Sequence, residues 1–188
     1  MKELFHTGFQ IIEKPDIKAG RKNADFGQGF YLSDDIEFSM RWARERKGQT
    51  TYLNRYELDT EGLNVKYFTR SAEWFEYIYA NRANYPDLLA EYDVIAGPIA
   101  NDTLYDTWGI IVSGLIAKED ALQLLMLGGT YEQIVIKTEK AAAALRFMSA
   151  ESIPHEKIAA YRETVRREEE RYQQEFVEEL SKITEGED

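Results

Sequence analysis

The chain has 188 residues, enough for one domain with an appendage, and 44% of them are hydrophobic, which suffices for a folded core. It has no cysteine and two histidines, so we expect no disulfide, no thiol nucleophile and no metal site. The formal net charge of −11 disfavours nucleic acid as a target. No apolar run reaches about 18 residues and no signal peptide opens the chain, which predicts a cytoplasmic protein without membrane contact.

Short strands and a loop begin the chain. Residues 3–6 predict a first strand, which Thr7 and Gly8 end, and residues 30–32 predict a second, aromatic strand. Between them lies a stretch that we call the glycine-rich loop, residues 20–29, with three glycines among its ten residues. Because glycine lets another backbone or a ligand approach closely, the loop is either an ordinary surface turn or a ligand-binding segment.

Helices and further strands follow in irregular alternation. The pattern predicts a helix over 35–47 capped by Asp34 or Asp35, strands over 51–58 and 62–68, a helix over 71–82, a strand over 92–98, helices over 104–116 and 121–127, a strand over 131–138 and an alanine-rich helix over 138–148. This order is not a regular βαβ series, so we predict an α+β fold.

The composition changes after Ser149. From residue 155 to 183 charged residues dominate, and a sparse apolar stripe has helical spacing, which predicts one long helix followed by a disordered acidic end. We therefore divide the chain into a domain of residues 1–150 and an appendage of residues 151–188. The helix either packs on the domain as a solvated element, which we favour, or serves self-association or partner binding.

Three segments, in this order, resemble the signature strands of the ADP-ribosyltransferase superfamily in its His-Tyr-Glu branch, the diphtheria-toxin and poly-ADP-ribose polymerase type. They are LFHTG at 4–8, GFYLS at 29–33 and EQIVI at 132–136. The stretches GRKN, DFGQGFYL, YDVIAGPIAND and QIVIKTEKA are more similar still to a bacterial family of unknown function grouped with that superfamily. The resemblance covers residues 3–149. It implies a split β-sheet core and NAD as the substrate.

The resemblance gives each signature side chain a role. His6 would hydrogen-bond the adenosine-side ribose, Tyr31 would stack on the nicotinamide, and Glu132 would bond the ribose 2′-hydroxyl and stabilise an oxocarbenium-like state. By their own chemistry, Arg21 and Asn23 suit the pyrophosphate or the nicotinamide amide. We expect His6, Tyr31 and the glycine-rich loop to line one cleft. The predicted NAD-contacting residues are His6, Thr7, Gly8, Arg21, Asn23, Phe26, Gly27, Gly29 and Tyr31.

Only one of the neighbours Glu132 and Gln133 can face a pocket, because adjacent residues of a strand point to opposite sides. The superfamily pattern selects Glu132, and the similar bacterial family selects Gln133. We favour Gln133, since Tyr131 lies on its side and would give the pocket an aromatic wall. An amide loses the charge-assisted part of the ribose contact, which predicts slow turnover without the true target.

The resulting hypothesis is an NAD-dependent mono-ADP-ribosyltransferase that modifies a macromolecule, with protein favoured over nucleic acid. Such an enzyme would act as a bacterial intracellular toxin or regulator. One alternative is a catalytically weak or inactive module that binds NAD or ADP-ribose. The other is an interaction protein that acts through the helix over 155–183.

Overall fold

The computed structural model describes residues 1–100, 117, 120, 123–124, 127–129 and 131–185. Their strands are β1 (Lys2–Gly8), β2 (Phe30–Leu32), β3 (Tyr52–Leu58), β4 (Val65–Tyr67), β5 (Val94–Pro98), β6 (Glu132–Ile136) and β7 (Leu145–Ser152). Their helices are α1 (Ile36–Met40), α2 (Ala72–Arg82), α3 (Glu139–Ala143) and α4 (His155–Glu185). The α+β prediction is confirmed.

The strands form two sheets that meet at β1 and β2. The first sheet has the order β1-β3-β7, and the second has the order β2-β6-β5-β4. Strand β4 runs parallel to β5, and the other pairs are antiparallel. Phe5 and Ser33 exchange two backbone hydrogen bonds of 2.8 and 3.1 Å. On the His6 side of this bridge β1 no longer pairs with β2, so the sheet is split there.

Two layers of apolar packing follow from the alternation of side chains along the strands. Phe30 and Leu32 point into a cluster between the two sheets, which also holds residues of β1, β3, β5, β6 and β7. Tyr31 points the other way, to the face that α2 covers, where Val135 packs with Trp74 and its helical neighbours. We call this α2-covered side of the second sheet its outer face.

The helix predicted to reach residue 47 ends at Met40. Its start is as predicted, because Asp35 accepts hydrogen bonds from two N–H groups of the first turn. The next three residues make tighter i→i−3 turns, and Gly48, with a φ of 76°, reverses the chain. Met40 and Ala43 are buried with Ile158 of α4. Packing of this turn against α4 therefore outweighs the helical pattern.

The helix predicted over 138–148 is wrong in its second half. Thr138 caps the short helix α3, and β7 begins at Leu145. Strand β7 pairs with β3 along its whole length, from Leu58 opposite Leu145 to Tyr52 opposite Ser152. The ladder supplies hydrogen bonds and burial that the helix propensity of alanine does not match. Strand β1 also runs two residues further than predicted, because its last residues pair with β3.

The long C-terminal helix is confirmed as α4, and among the described residues two groups of its apolar side chains pack on the rest of the chain. Ile158 is buried beside α1, and Phe176, Leu180 and Ile183 pack on Leu124 and Leu127. The predicted domain boundary at residue 150 lies inside β7. The predicted helix over 104–116, most of that over 121–127 and the acidic end at 186–188 lie outside the described residues. Among the described helices, none has the length and apolar character that crossing a membrane requires.

Candidate functional site

His6 lies where the two sheets separate. Its Nδ1 is 2.8 Å from the carbonyl oxygen of Tyr31, and its ring packs on Phe30 with centroids 4.6 Å apart. A carbonyl oxygen only accepts, so Nδ1 carries the hydrogen and Nε2 is left as an acceptor in the neutral ring. Burial lowers the pKa of His6, and the bond to Tyr31 opposes this shift only in part. The imidazole is therefore a neutral group whose acceptor nitrogen Nε2 has no hydrogen-bond partner among the described residues.

The lowered pKa of His6 predicts a pH dependence of stability. A group whose pKa is lower in the folded state contributes stability above its unfolded pKa, about 6.5 for histidine, and that stability is lost as the pH falls through the folded value. Denaturant unfolding at pH 7.5 and 5.5 should show a larger loss for the wild type than for His6→Asn. His155→Asn, on an exposed residue of α4, is the control. Equal losses in the wild type and His6→Asn would contradict this prediction.

The next two predicted NAD contacts, Thr7 and Gly8, are placed differently with respect to the His6 ring. A Cβ on Gly8 would come within 3.2 Å of His6 Nε2, so any side chain there crowds the free acceptor nitrogen. Thr7 points to the opposite side of β1. In the described part of the chain its hydroxyl is buried and has no hydrogen-bond partner. The structure therefore groups Gly8 with the His6 ring and turns the Thr7 side chain away from it.

The phenol of Tyr31 holds the glycine-rich loop. Its oxygen accepts a hydrogen bond from the N–H of Phe26 at 2.9 Å and donates one to the carbonyl of Gly27 at 2.7 Å. Burial raises the pKa of Tyr31, and the negative charge of Asp25 raises it further. The His6 ring packs on Phe30, which faces the other core layer. His6 thus contacts the backbone carbonyl of Tyr31, while the Tyr31 ring lies on the opposite side of β2, so these contacts do not bring the two side chains into one open cleft.

Removing the phenol oxygen should loosen the loop. Tyr31→Phe leaves the Phe26 N–H and the Gly27 carbonyl without their partner, at a cost of about 2 kcal/mol in the free energy of unfolding. Tyr67→Phe is the control, because Tyr67 is 67% exposed. Urea denaturation of both variants measures the difference. A Tyr31→Phe variant as stable as the control would show that the loop does not depend on the phenol.

The other loop residues of the prediction divide into buried and exposed groups. Phe26 is fully buried among Phe68 and Tyr77, so its ring supports the loop from beneath. A Cβ on Gly29 would lie 2.6 Å from the carbonyl oxygen of Ile136, which explains why the loop can lie directly on β6. Gly27 has a φ of 73°. In contrast, the side chains of Arg21 and Asn23 are exposed.

Gln133 and Glu132 differ in exposure, because adjacent residues of a strand point to opposite sides. Gln133 is 8% exposed and lies on the outer face, two residues before Val135, which pairs with Tyr31. Glu132 is exposed. In the described contacts, the Tyr131 ring does not form the predicted aromatic wall beside Gln133. It stacks instead on Phe38 of α1, with centroids 4.8 Å apart.

Asp25 connects the loop to Gln133. Its Oδ2 accepts hydrogen bonds from Gln133 Nε2 and the N–H of Ala100, both at 3.3 Å. Its Oδ1 faces Arg82, with nitrogen distances of 2.7 and 2.8 Å. Asn81 Nδ2 donates to the Asp25 carbonyl at 3.1 Å. A half-buried carboxylate of the loop, its guanidinium partner and two amides thus lie together on the outer face.

A second charged cluster lies at the other end of the loop. Lys137, with a side chain 5% exposed, donates to Asp87 at 2.7 Å and to the Phe26 carbonyl at 2.5 Å. Burial alone would raise the pKa of Asp87, but hydrogen bonds from Lys137, Leu89 N–H and Tyr77 lower it. Beside these groups is a cavity of 420 Å³, within the usual range for ligand pockets. Its lining includes Lys22, Gly27, Gln28, Asn81, Asn84, Asp87 and Lys137.

The chain matches the model of a family described as a protein of unknown function, DUF3990, over residues 2–147. The chain belongs to the DUF3990 family. The match includes all residues of the site and leaves α4 outside. No curated protein matches the chain. The family description states no activity, so the link to ADP-ribosyltransferases stays a prediction.

Sequence reasoning missed part of the polar site of this DUF3990 chain. The sequence patterns assign no role to Asp25, Arg82, Asp87 or Lys137. Lys137 could have been found, because it continues the alternation of Gln133 onto the same face of β6. Arg82 and Asp87 leave no such signal, since their partners are 57 and 50 residues away in the chain.

Proposed function

We propose that the chain is an NAD-dependent mono-ADP-ribosyltransferase with a protein target. The observation that supports this best is the position of Gln133 and Tyr31. They come from two of the three segments that resemble the superfamily, and they lie on the same face of paired strands, beneath the glycine-rich loop. The cytoplasmic location predicted from the sequence belongs to the same proposal.

In this reaction the bond between the ribose C1′ and the nicotinamide nitrogen breaks, and its electron pair leaves with the nitrogen. The positive charge that develops at C1′ is shared with the ring oxygen. A nucleophilic atom of the target, or a water oxygen, then adds to C1′ and releases its proton to solvent. Gln133 Oε1 accepts a hydrogen bond from the 2′-hydroxyl, which is the contact an amide can make.

The remaining groups act on the pose of the dinucleotide. His6 Nε2 is a free acceptor beside the side-chain-free Gly8, which suits a ribose hydroxyl. Arg21 is an exposed cation at the start of the glycine-rich loop, which suits the pyrophosphate. Tyr31 keeps the loop in place through its phenol and contributes its ring to the outer face.

One observation favours the second candidate, a module that binds NAD or ADP-ribose without turnover. The side chain buried at the site is the amide of Gln133, and the carboxylate of Glu132 is exposed. A neutral group stabilises a developing cation less than a carboxylate does. The third hypothesis, action through α4, has less support, because α4 packs on the domain at two places.

The test uses the full chain and NAD. Nicotinamide release, followed by chromatography, is expected for the enzyme and absent for the binding module. In both cases NAD raises the melting temperature, since a ligand at a hundredfold excess over its Kd adds about 2.7 kcal/mol to the stability of the fold. An unchanged melting curve at millimolar NAD, together with no nicotinamide release, would rule out both. The interaction hypothesis instead predicts cellular activity that survives loss of His6 and Tyr31 and disappears without residues 155–183.

A further inference from the structure

The two oxygens of the Asp25 carboxylate accept hydrogen bonds of unequal length from two sets of donors. Arg82 Nη2 and Nε both approach Oδ1, at 2.7 and 2.8 Å. Oδ2 receives longer bonds of 3.3 Å from Gln133 Nε2 and the Ala100 N–H. The side chains of Arg82 and Asp25 are 10% and 17% exposed. The less neutralised oxygen therefore faces Gln133, in surroundings where water screens charge poorly.

This contact fixes which way the Gln133 amide points. Oδ2 is an acceptor and the Ala100 N–H is a second donor to it, so the Gln133 amide must present its NH₂ group to Asp25. Its carbonyl oxygen Oε1 then points away from Asp25. Rotated by 180°, the amide would place Oε1 against the carboxylate, which is a repulsive contact. One buried charge thus selects one orientation of a residue 108 positions away.

We propose that Asp25 is the positioning residue of this site, which holds Gln133 with its acceptor toward the substrate ribose and supplies the negative charge that glutamine lacks. The inference rests on the proposed function. When the bond from C1′ to nicotinamide breaks and its electrons leave with the nitrogen, the positive charge at C1′ meets Oε1 of an amide polarised by Asp25. The carboxylate acts from behind the residue that touches the ribose, and the site keeps a negative charge although position 133 carries a neutral glutamine.

The first test is Asp25→Asn, compared with the wild type for nicotinamide release from NAD. The new amide accepts from Arg82 with its oxygen, and its NH₂ then faces Gln133 and the Ala100 N–H, so Ala100 loses its acceptor and the Gln133 amide must rotate by 180° to accept. We expect kcat to fall about 100-fold with the KM for NAD within about threefold, a loss typical of removing one preorganised electrostatic contact. Asp34→Asn is the matched control, because Asp34 is a carboxylate that pairs with Lys2 and not with Gln133 or Arg82. Its kcat should equal that of the wild type.

The second test moves the negative charge from position 25 to position 133. In the double variant Asp25→Asn/Gln133→Glu, the introduced carboxylate accepts from the amide at 25 and stands at the ribose itself. We expect at least a tenfold recovery of kcat over Asp25→Asn. A purely structural role of Asp25 as the partner of Arg82 predicts no recovery, because that ion pair stays broken.

If Asp25→Asn does not fold, a third variant, Gln133→Glu, tests the role of Asp25. Gln133→Glu alone places two carboxylates side by side, and like charges at this distance raise the pKa of one of them. The pH profile of kcat should then show an acid limb above the usual carboxylate range. No such limb, or an Asp25→Asn kcat within threefold of the wild type, overturns the role of Asp25. A wild type that releases no nicotinamide overturns the proposed function, and this inference falls with it.

Discussion

Replacing Gln133 by alanine should lower kcat for nicotinamide release about 100-fold, whereas Glu132→Ala should stay within about threefold of the wild type. The two residues are adjacent, but Gln133 is 8% exposed on the outer face with Tyr31, and Glu132 is exposed. Alanine at 133 removes the acceptor for the ribose hydroxyl and leaves the Asp25 carboxylate without one of its donors. Alanine at 132 removes a solvated side chain from the start of β6.

The measurement is single-variant kinetics on NAD consumption, with the melting temperature of each variant as a check on folding. The contrast between neighbours is the control, because both changes affect the same strand. If Glu132→Ala abolished turnover and Gln133→Ala did not, the carboxylate mechanism suggested by the superfamily pattern would replace ours.

Replacing Lys137 by methionine should destabilise the protein by about 3 kcal/mol. Lys137 is an almost fully buried cation, and its loss leaves the Asp87 carboxylate and the Phe26 carbonyl without a donor. Breaking a buried ion pair from one side costs about 3–5 kcal/mol, and the partial exposure of Asp87 places the expected value at the lower end. Methionine fills the volume of the lysine stem, so the decrease in the free energy of unfolding comes from the missing charge rather than from a cavity.

Lys140→Met is the matched control for this prediction. Lys140 lies three residues further along, pairs with Asp93 at 3.1 Å, and its side chain is 61% exposed. Asp93 keeps its bonds from Thr138 and Asn64, so the expected loss is below about 1 kcal/mol. Equal effects of the two substitutions in guanidinium unfolding would refute the assignment of Lys137 as a buried structural cation.

The Lys137–Asp87 pair also predicts how the stability difference between the wild type and Lys137→Met depends on pH. Burial acts to raise the pKa of Asp87, but the donated hydrogen bonds, that of Lys137 first, lower it. A lowered pKa gives stability that is present above the unfolded value, about 3.9, and lost as the pH falls through the folded value. The gap between the wild type and Lys137→Met should therefore be full at pH 7 and shrink below about pH 4.

Features encoded in neighbouring residues could be predicted from the sequence. Asp35 caps α1 and Thr138 caps α3, each through bonds to N–H groups two or three residues away. The strand β6 and the long helix α4 follow from alternation and from helical spacing. Strand alternation left the choice between Glu132 and Gln133 open, and the Tyr131 ring that was expected to favour Gln133 stacks on Phe38 instead.

Partners distant in the chain were decided by the tertiary structure alone. Residues 145–147 have the composition of a helix, yet they pair with β3, some 90 residues earlier, because the ladder satisfies their backbone groups. Asp25 meets Gln133 across 108 residues, and His6 meets the Tyr31 carbonyl where two sheets separate. The sequence by itself determined the caps of α1 and α3, the strand β6 and the helix α4, since these depend on local patterns. Which charges meet beneath the glycine-rich loop depends on how the elements pack, and no local pattern carries that information.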